Sequence, residues 1–115
     1  MLQRVLRDLI KVEGINTAVV VGSDGFVIEH ISQTNVDTDA LGAMASTSFG
    51  MSVAMGNHLR KGNCECVLVE LERGPIMLTL VSRNEILAVM AAKGANLGRI
   101  RYEMKRYKDL IAAAL

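Results

Sequence analysis

The second half of the chain contains three apolar segments joined by very short connections, and this feature constrains the fold most strongly. The segments occupy residues 63–72, 75–82 and 85–92, and only two residues separate each segment from the next. Valine, isoleucine and leucine are prominent in all three, as is typical of strands. Because so short a connection joins antiparallel neighbours, the sequence predicts a three-stranded antiparallel meander.

A further pair of strands precedes the meander. Residues 17–21 form an apolar, largely β-branched run that lacks the alternation of a half-exposed strand. Residues 23–25 read Ser-Asp-Gly, which is the composition of a tight turn. Residues 26–31 then return as a second strand. The sequence therefore predicts a β-hairpin in this region.

Three segments have the features of helices. Residues 2–10 carry apolar side chains at helical spacing over about three turns, and Gly14 is placed to end that helix. Asp37, Thr38 and Asp39 are N-cap candidates for a long segment without proline that continues to about Leu59. Asn96 is placed to cap a last helix.

The predicted order of elements is α-β-β-α-β-β-β-α. Because the first, fourth and fifth strands are apolar on both faces, helices must cover both sides of the sheet. The unbroken apolar run of residues 19–21 favours a central first strand, and pairing it with the fifth gives the sheet order 2-1-5-4-3. Half of the 115 residues are hydrophobic, which excludes a disordered chain. We therefore expect one α+β (mixed α/β) domain over residues 1–115, with a five-stranded antiparallel sheet between one long helix and two terminal helices.

This order places the strand at residues 63–72 on an edge of the sheet. The strand has no proline, and strand alternation predicts that Cys64 and Cys66 share one face while Val67 and Val69 share the other. Such an edge invites pairing with its own copy across a two-fold axis. The alternative is an edge that is shielded by its own glutamates. Self-pairing predicts a dimer interface formed by Cys64, Cys66, Val67, Leu68 and Val69.

The long helix contains a stripe of small residues. Gly42, Ser46, Gly50 and Ala54 stand at four-residue intervals, which would let another backbone approach closely. Three methionines nearby have the flexible side chains found at adaptable binding surfaces. Either the stripe contacts a partner, or it lets the helix lie flat on its own sheet.

Residue patterns that support catalysis or metal binding are missing from the sequence. It contains neither a phosphate loop nor a dinucleotide-binding glycine motif. Cys64 and Cys66 have no second cysteine pair, and His30 and His58 belong to other elements. We therefore expect no catalytic residues, no metal and no cofactor.

The charge of the chain is unevenly distributed. The formal net charge is +1, yet residues 93–115 carry six Lys and Arg against two acidic residues. A basic last helix is able to contact nucleic acid or an anionic membrane, but two Tyr, two Phe and no Trp favour a solvated outer face. No apolar run reaches the roughly 18 residues of a membrane span. We expect no nucleic-acid partner, no membrane insertion and a cytoplasmic location, which suits two unpaired cysteines.

Three segments carry a resemblance to a known family. The segment from Gly14 to Val21, continued by Asp24 to Ile28, resembles the opening of the Roadblock/LC7 family. Residues 95–101, Ala-Asn-Leu-Gly-Arg-Ile-Arg, resemble the start of the last helix of that family. The resemblance extends over about residues 2–112 in the same element order. It implies a profilin-like fold and a non-enzymatic homodimeric platform.

The resemblance also implies a partner. The family includes dynein-associated light chains, lysosomal scaffold subunits and regulators of small Ras-like GTPases. A regulator of this kind acts by ordering the switch loops of the GTPase and needs no catalytic residue of its own. The alternative is a passive scaffold subunit of a larger motor or signalling assembly. The expected partner-binding residues, all on the second helix, are Gly42, Ser46, Gly50, Val53, Ala54 and Asn57.

Overall fold

The computed structural model describes every residue from 1 to 115. Three helices and five strands follow one another in the predicted order. Their bounds are α1 Leu2–Leu9, β1 Ile15–Gly22, β2 Val27–Ser32, α2 Thr38–His58, β3 Cys66–Leu71, β4 Gly74–Ser82, β5 Glu85–Ala91 and α3 Leu97–Ala114.

All five strands form one antiparallel sheet in the order β2-β1-β5-β4-β3, which confirms the predicted order. β1 lies between β2 and β5, and its residues Val19, Val20 and Val21 have no exposed surface. An apolar run without alternation therefore marks a strand that is covered on both faces. β3 forms one edge of the sheet and β2 forms the other.

Helices cover both faces of this sheet. α1 and α3 pack on one face, where the larger core cluster includes Leu6, Leu87 and Met104. α2 packs on the opposite face over a smaller cluster that includes Phe49 and Leu78. The predicted α+β arrangement, with one long helix on one side and two terminal helices on the other, is confirmed. None of the three helices combines the length and the hydropathy that a bilayer span needs.

Side chains cap the two longer helices, α2 through Asp37, one of its three N-cap candidates, and α3 through Asn96 as predicted. The carboxylate of Asp37 accepts a hydrogen bond from the backbone amide of Ala40 at 3.0 Å. The side-chain oxygen of Asn96 accepts one from the amide of Arg99, also at 3.0 Å. Each bond satisfies a donor that the first helical turn leaves unpaired, so both helices start at fixed points.

α1 is shorter than the sequence pattern suggests. It has eight residues, just over two turns. The amides of Lys11 and Val12 bond to the carbonyls of Asp8 and Leu9, three residues back, so the chain tightens after the helix. Gly14 then turns the chain into β1 with a φ of 95°, a conformation that suits glycine.

β3 begins at Cys66, later than the predicted start at residue 63. The carbonyl of Gly56 accepts hydrogen bonds from the amides of Lys61 and Gly62, which curls the chain as it leaves α2. Cys64 therefore lies in an irregular loop and packs against the α2-side cluster, whereas Cys66 packs against the cluster under α1 and α3. The prediction that Cys64 and Cys66 share a strand face is wrong, because Cys64 lies outside the strand.

Candidate functional site

α2 covers only part of its face of the sheet. Its cluster covers β1 and β5 and reaches Leu78 of β4, which is 1% exposed, and the rest of this face of β3 and β4 extends beyond it. On that part of the face, Val67, Val69 and Ile76 are only half-buried, and Leu80 is 38% exposed. An apolar strip of sheet, formed by these four residues, therefore runs from the flank of α2 to the edge at β3.

A groove of about 390 Å³ lies between α2 and the end of the sheet where β4 meets β5. The residues of α2 that line this groove, apart from the buried Phe49, are Ser46, Gly50, Val53 and Asn57. All four belong to the six residues that the sequence predicts to bind a partner. The structure therefore brings most of that predicted set to one surface.

The opposite wall of the groove was not predicted from the sequence. Leu80, Arg83 and Asn84 line it, at the turn between β4 and β5. In the sequence these residues carry only the signals of a strand end and a turn. Their role as a wall depends on where α2 lies across the sheet.

Gly42 and Ala54 lie outside the groove. Gly42 is buried, and a Cβ there would lie 2.8 Å from Val27 Cγ2 and 3.2 Å from Val21 Cγ2. Each four-residue step overshoots a full helical turn by about 40°, so the stripe from Gly42 to Ala54 rotates by about 120° around α2. The prediction that these small residues form a single stripe is wrong. At Gly42, the small residue lets α2 lie close to its own sheet.

Three methionines project from the side of α2 that faces away from the groove. Met44, Met51 and Met55 are each more than half exposed. Exposed methionines are flexible and polarizable, and such side chains adapt to the shape of a protein partner. α2 thus offers two exposed surfaces, the groove side and the methionine side.

The two edges of the sheet differ in their protection. On β2, the ladder with β1 shifts register next to Val21, and the amide of His30 donates to Oε1 of Glu29 at 3.1 Å. A bulge and an occupied amide both hinder further strand pairing. On β3, the ladder with β4 is regular, and its backbone receives only a long thiol contact of 3.9 Å from Cys64 Sγ to the carbonyl of Cys66. β3 is therefore the open edge.

The residues predicted to form a dimer interface lie on this edge, with the exception of Cys64. Leu68 is 45% exposed, and Cys66, Val67 and Val69 are half-buried. Register with β4 places Val67 and Val69 on the α2 face, and Cys66 and Leu68 on the face under α3. The open edge therefore presents apolar side chains on both faces of the sheet.

Comparison with known proteins identifies the family of the chain. The sequence matches the Roadblock/LC7 domain over residues 1–91. The chain belongs to the Roadblock/LC7 family. An uncharacterized protein of Methanocaldococcus jannaschii is 39% identical to it over 113 residues, which cover 98% of each chain.

Solved structures share the fold. A Roadblock/LC7 domain from Streptomyces avermitilis matches with a TM-score of 0.90 at 21% identity, covering 97% of this chain and 95% of that one. MglB from Myxococcus xanthus matches with a TM-score of 0.89 at 18% identity, covering 98% of this chain and 93% of that one. Profilin IB from Acanthamoeba castellanii matches over 100% of both chains with a TM-score of 0.71 at 13% identity. The profilin-like architecture that the resemblance implies is confirmed.

The Roadblock/LC7 family is generally regulatory and non-catalytic. In this member, no three His, Cys, Asp or Glu side chains lie together as a metal site would require. Burial raises the pKa of the Cys66 thiol, and the positive charges of Arg101 and Lys105 offset only part of that shift. The Cys66 thiol is therefore protonated at neutral pH, which suits a packing role better than a nucleophilic one.

Proposed function

We propose that this Roadblock/LC7 chain forms a homodimer that binds and regulates a small Ras-like GTPase in the cytoplasm, with residues 1–115 acting as a single domain. The observation that carries the proposal is continuity between two features. The open edge of β3 merges through the apolar strip into the groove beside α2. Pairing of β3 with a second copy would join two sheets into one and place both α2 helices on the same side of it.

Self-pairing of β3 supplies what this edge lacks. The backbone N–H and C=O groups along the edge would gain hydrogen-bond partners, and the exposed part of Leu68 would leave water. Burial of apolar surface contributes about 25 cal/mol per Å², so the apolar side chains on both faces of β3 favour association. The dimer interface of the proposal consists of Cys66, Val67, Leu68 and Val69, with Cys64 beside it in the loop.

The GTPase part of the proposal rests on family membership and on the surface of α2. The Roadblock/LC7 resemblance implies members that regulate small Ras-like GTPases. Gly50 leaves room for a close backbone approach, and the groove residues Ser46, Val53 and Asn57 offer both polar and apolar contacts. Ala54 lies four residues after Gly50, outside the groove, and extends the proposed contact surface along α2. A GTPase carries its own phosphate-binding and water-positioning groups, so a regulator can act by ordering the switch loops.

Substitutions at Gly50 test the partner surface. A Cβ at this position meets no heavy atom within 4 Å, so a side chain can begin here without a clash inside the domain. We expect the wild-type chain to bind a GTP-loaded small Ras-like GTPase of the same organism and to raise its GTP turnover. Gly50→Ala, the matched control, keeps both effects. Gly50→Arg weakens binding by at least about tenfold, because the close contact would bury a charge without a partner.

Light scattering of each variant decides how a loss of binding is interpreted. A dimeric Gly50→Arg variant with normal binding would overturn the assignment of the groove to the GTPase. A monomeric Gly50→Arg variant would assign the groove to the second copy instead. GTPase binding without any change in turnover, or no GTPase binding at all, would favour the passive scaffold over the regulator.

A further inference from the structure

The outward-facing backbone groups of β3 belong to alternate residues. Leu71 and Gly74 pair directly across a two-residue turn, which makes them a hydrogen-bonded pair. Alternation along the antiparallel ladder then directs the N–H and C=O groups of Val67 and Val69 toward β4 as well. The residues whose N–H and C=O groups point away from the sheet are Cys66, Leu68 and Glu70.

Two contacts support this alternation. Glu70 pairs with Pro75, which has no N–H, as expected at a position without mutual backbone hydrogen bonds. The carbonyl of Glu65 points toward β4, because it accepts a hydrogen bond from Thr79 Oγ1 at 3.0 Å. Both contacts agree with an alternation in which the backbone N–H and C=O groups of odd-numbered residues point toward β4. Those of even-numbered residues point away from the sheet.

Symmetry limits how two copies of this edge can pair. A two-fold axis perpendicular to the sheet leaves every side chain on its own face. Residues that oppose each other across the axis must therefore lie on the same face, and two such residues are an even number of positions apart in the sequence. The midpoint between them is then itself a residue, and this residue opposes its own copy on the axis. Each possible register is thus defined by the residue that lies on the axis.

A register centred on Leu68 gives the best set of opposed side chains. It places Leu68 against its own copy and Val67 against Val69 of the second copy, and it uses all three outward-facing residues. Centring on Val67 would set Val69 against Glu65, and centring on Val69 would set Leu68 against Glu70. Centring on Glu70 would bring two like charges together, which is unfavourable.

The same register creates complementary charges. It places Glu70 of each copy opposite Cys66 of the other, and Cys66 lines one pocket of its own chain together with Leu68 and Arg101. Arg101 and Glu70 are both exposed, and neither forms an ion pair within its own chain. The carboxylate of Glu70 would therefore arrive beside an unpaired guanidinium of the second copy.

We propose that two copies pair β3 in antiparallel fashion with the two-fold axis at Leu68, so that Glu70 of each copy forms an ion pair with Arg101 of the other. This inference rests on the proposed homodimer. It adds the register and the charge pairing that make the edge of β3 specific for a second copy of the same chain.

Disulfide trapping tests the register. In a Cys64→Ala, Cys66→Ala background, Leu68→Cys is expected to form an intermolecular disulfide on mild oxidation, because opposed Cα atoms lie about 5.5 Å apart. Val67→Cys alone and Val69→Cys alone, the matched controls, place the two sulfur-bearing residues about 8 Å apart and are expected not to form one. A mixture of these two variants does form one, because Val67 opposes Val69 of the second copy.

The outcomes separate the register from the dimer itself. Self-linking of Val67→Cys or Val69→Cys without Leu68→Cys would overturn the register while the homodimer stands. A dimeric background in which none of the variants cross-links would also overturn the register, because an axis at Val67, Leu68 or Val69 would link at least one of them. A wild-type chain that is monomeric by light scattering would overturn the proposed homodimer and the register with it.

Charge reversal tests the ion pair. Glu70→Arg and Arg101→Glu are each expected to raise the dissociation constant of the dimer by about fivefold, because each creates two like-charge contacts per dimer. The double variant recovers most of the affinity. Arg99→Glu, on the opposite side of α3, leaves the constant unchanged. Equal effects of Arg99→Glu and Arg101→Glu, or no recovery in the double variant, would overturn the ion pair.

Discussion

The hydroxyl of Ser46 on α2 donates a hydrogen bond over 2.8 Å to the backbone carbonyl of Ser23, the first residue after β1. One turn earlier in α2, Gly42 packs against Val21 and Val27 of the same hairpin. These two contacts hold α2 over the β1–β2 side of the sheet. Because α2 is held there, the face of β3 and β4 beyond the buried Leu78 stays partly exposed and the groove stays open.

We predict that Ser46→Ala lowers the free energy of unfolding by about 0.5–1.5 kcal/mol, the usual value of one lost hydrogen bond. Ser52→Ala is the matched control, because the Ser52 hydroxyl bonds only to the carbonyl of Ser48 in its own helix. Alanine favours helix, so the control is neutral or slightly stabilising. Urea unfolding followed by circular dichroism measures both variants, and equal losses would contradict a tie between α2 and the hairpin.

Gly74 and Gly94 form a second matched pair. Both have positive φ, 130° and 82°. A Cβ on Gly74 would collide with the carbonyl oxygen of Ala91 and lie 3.1 Å from the amide nitrogen of Lys93, whereas a Cβ on Gly94 meets nothing within 4 Å. We predict that Gly94→Ala costs about 1 kcal/mol of stability, and that Gly74→Ala costs at least about 2 kcal/mol more. Similar midpoints of thermal unfolding for the two variants would refute this prediction.

Proline substitutions on β3 separate folding from association. Leu68→Pro removes an outward-facing N–H, so we predict a folded monomer. Val67→Pro removes an N–H that faces β4 and leaves a carbonyl of β4 without its donor, so we predict a loss of stability of about 1–3 kcal/mol or a failure to fold. Circular dichroism reports folding and light scattering reports association. A dimeric Leu68→Pro variant would argue against pairing through this edge.

The thiol of Cys66 gives a pH-dependent prediction. Its pKa is raised in the folded chain by burial, against the charge of Arg101. The stability that the neutral Cys66 thiol contributes to the folded chain is fully present below the pKa of the unfolded thiol, about 8.5. This contribution is lost as the pH rises through the folded pKa. In a Cys64→Ala variant, the rate of iodoacetamide labelling should therefore rise at higher pH for the native chain than for the chain in urea. Coincident pH profiles would show that burial does not act on this thiol.

Much of the fold follows from local features of the sequence. The short connections at residues 72–73 and 83–84 leave only antiparallel neighbours for three strands, and the run at residues 19–21 has to lie where both sheet faces are covered. Asp37 and Asn96 cap the helices whose starts they mark. Each of these features acts over a few residues, which is why sequence reasoning captures it.

The candidate site depends on longer-range packing. The side on which Cys64 packs is set by the loop that Gly56 closes, and strand alternation carries no information about that loop. The lateral position of α2 is set by Gly42 and Ser46 against a distant hairpin, so the wall formed by Arg83 had no signal in the sequence. Four-residue spacing also predicts a straight stripe of small residues along α2. The stripe in fact rotates around the helix axis, because four residues exceed one helical turn.

The stoichiometry of GTPase binding tests the central claim most directly. A calorimetric titration of the GTP-loaded small Ras-like GTPase of the same organism into the wild-type chain measures it. Because both α2 helices would lie on the same side of the joined sheet, the proposed homodimeric platform predicts one GTPase for every two chains. Binding is weakened at least about tenfold in Gly50→Arg and kept in Gly50→Ala. Saturation at one GTPase per chain, or no heat of binding at any concentration, would contradict it.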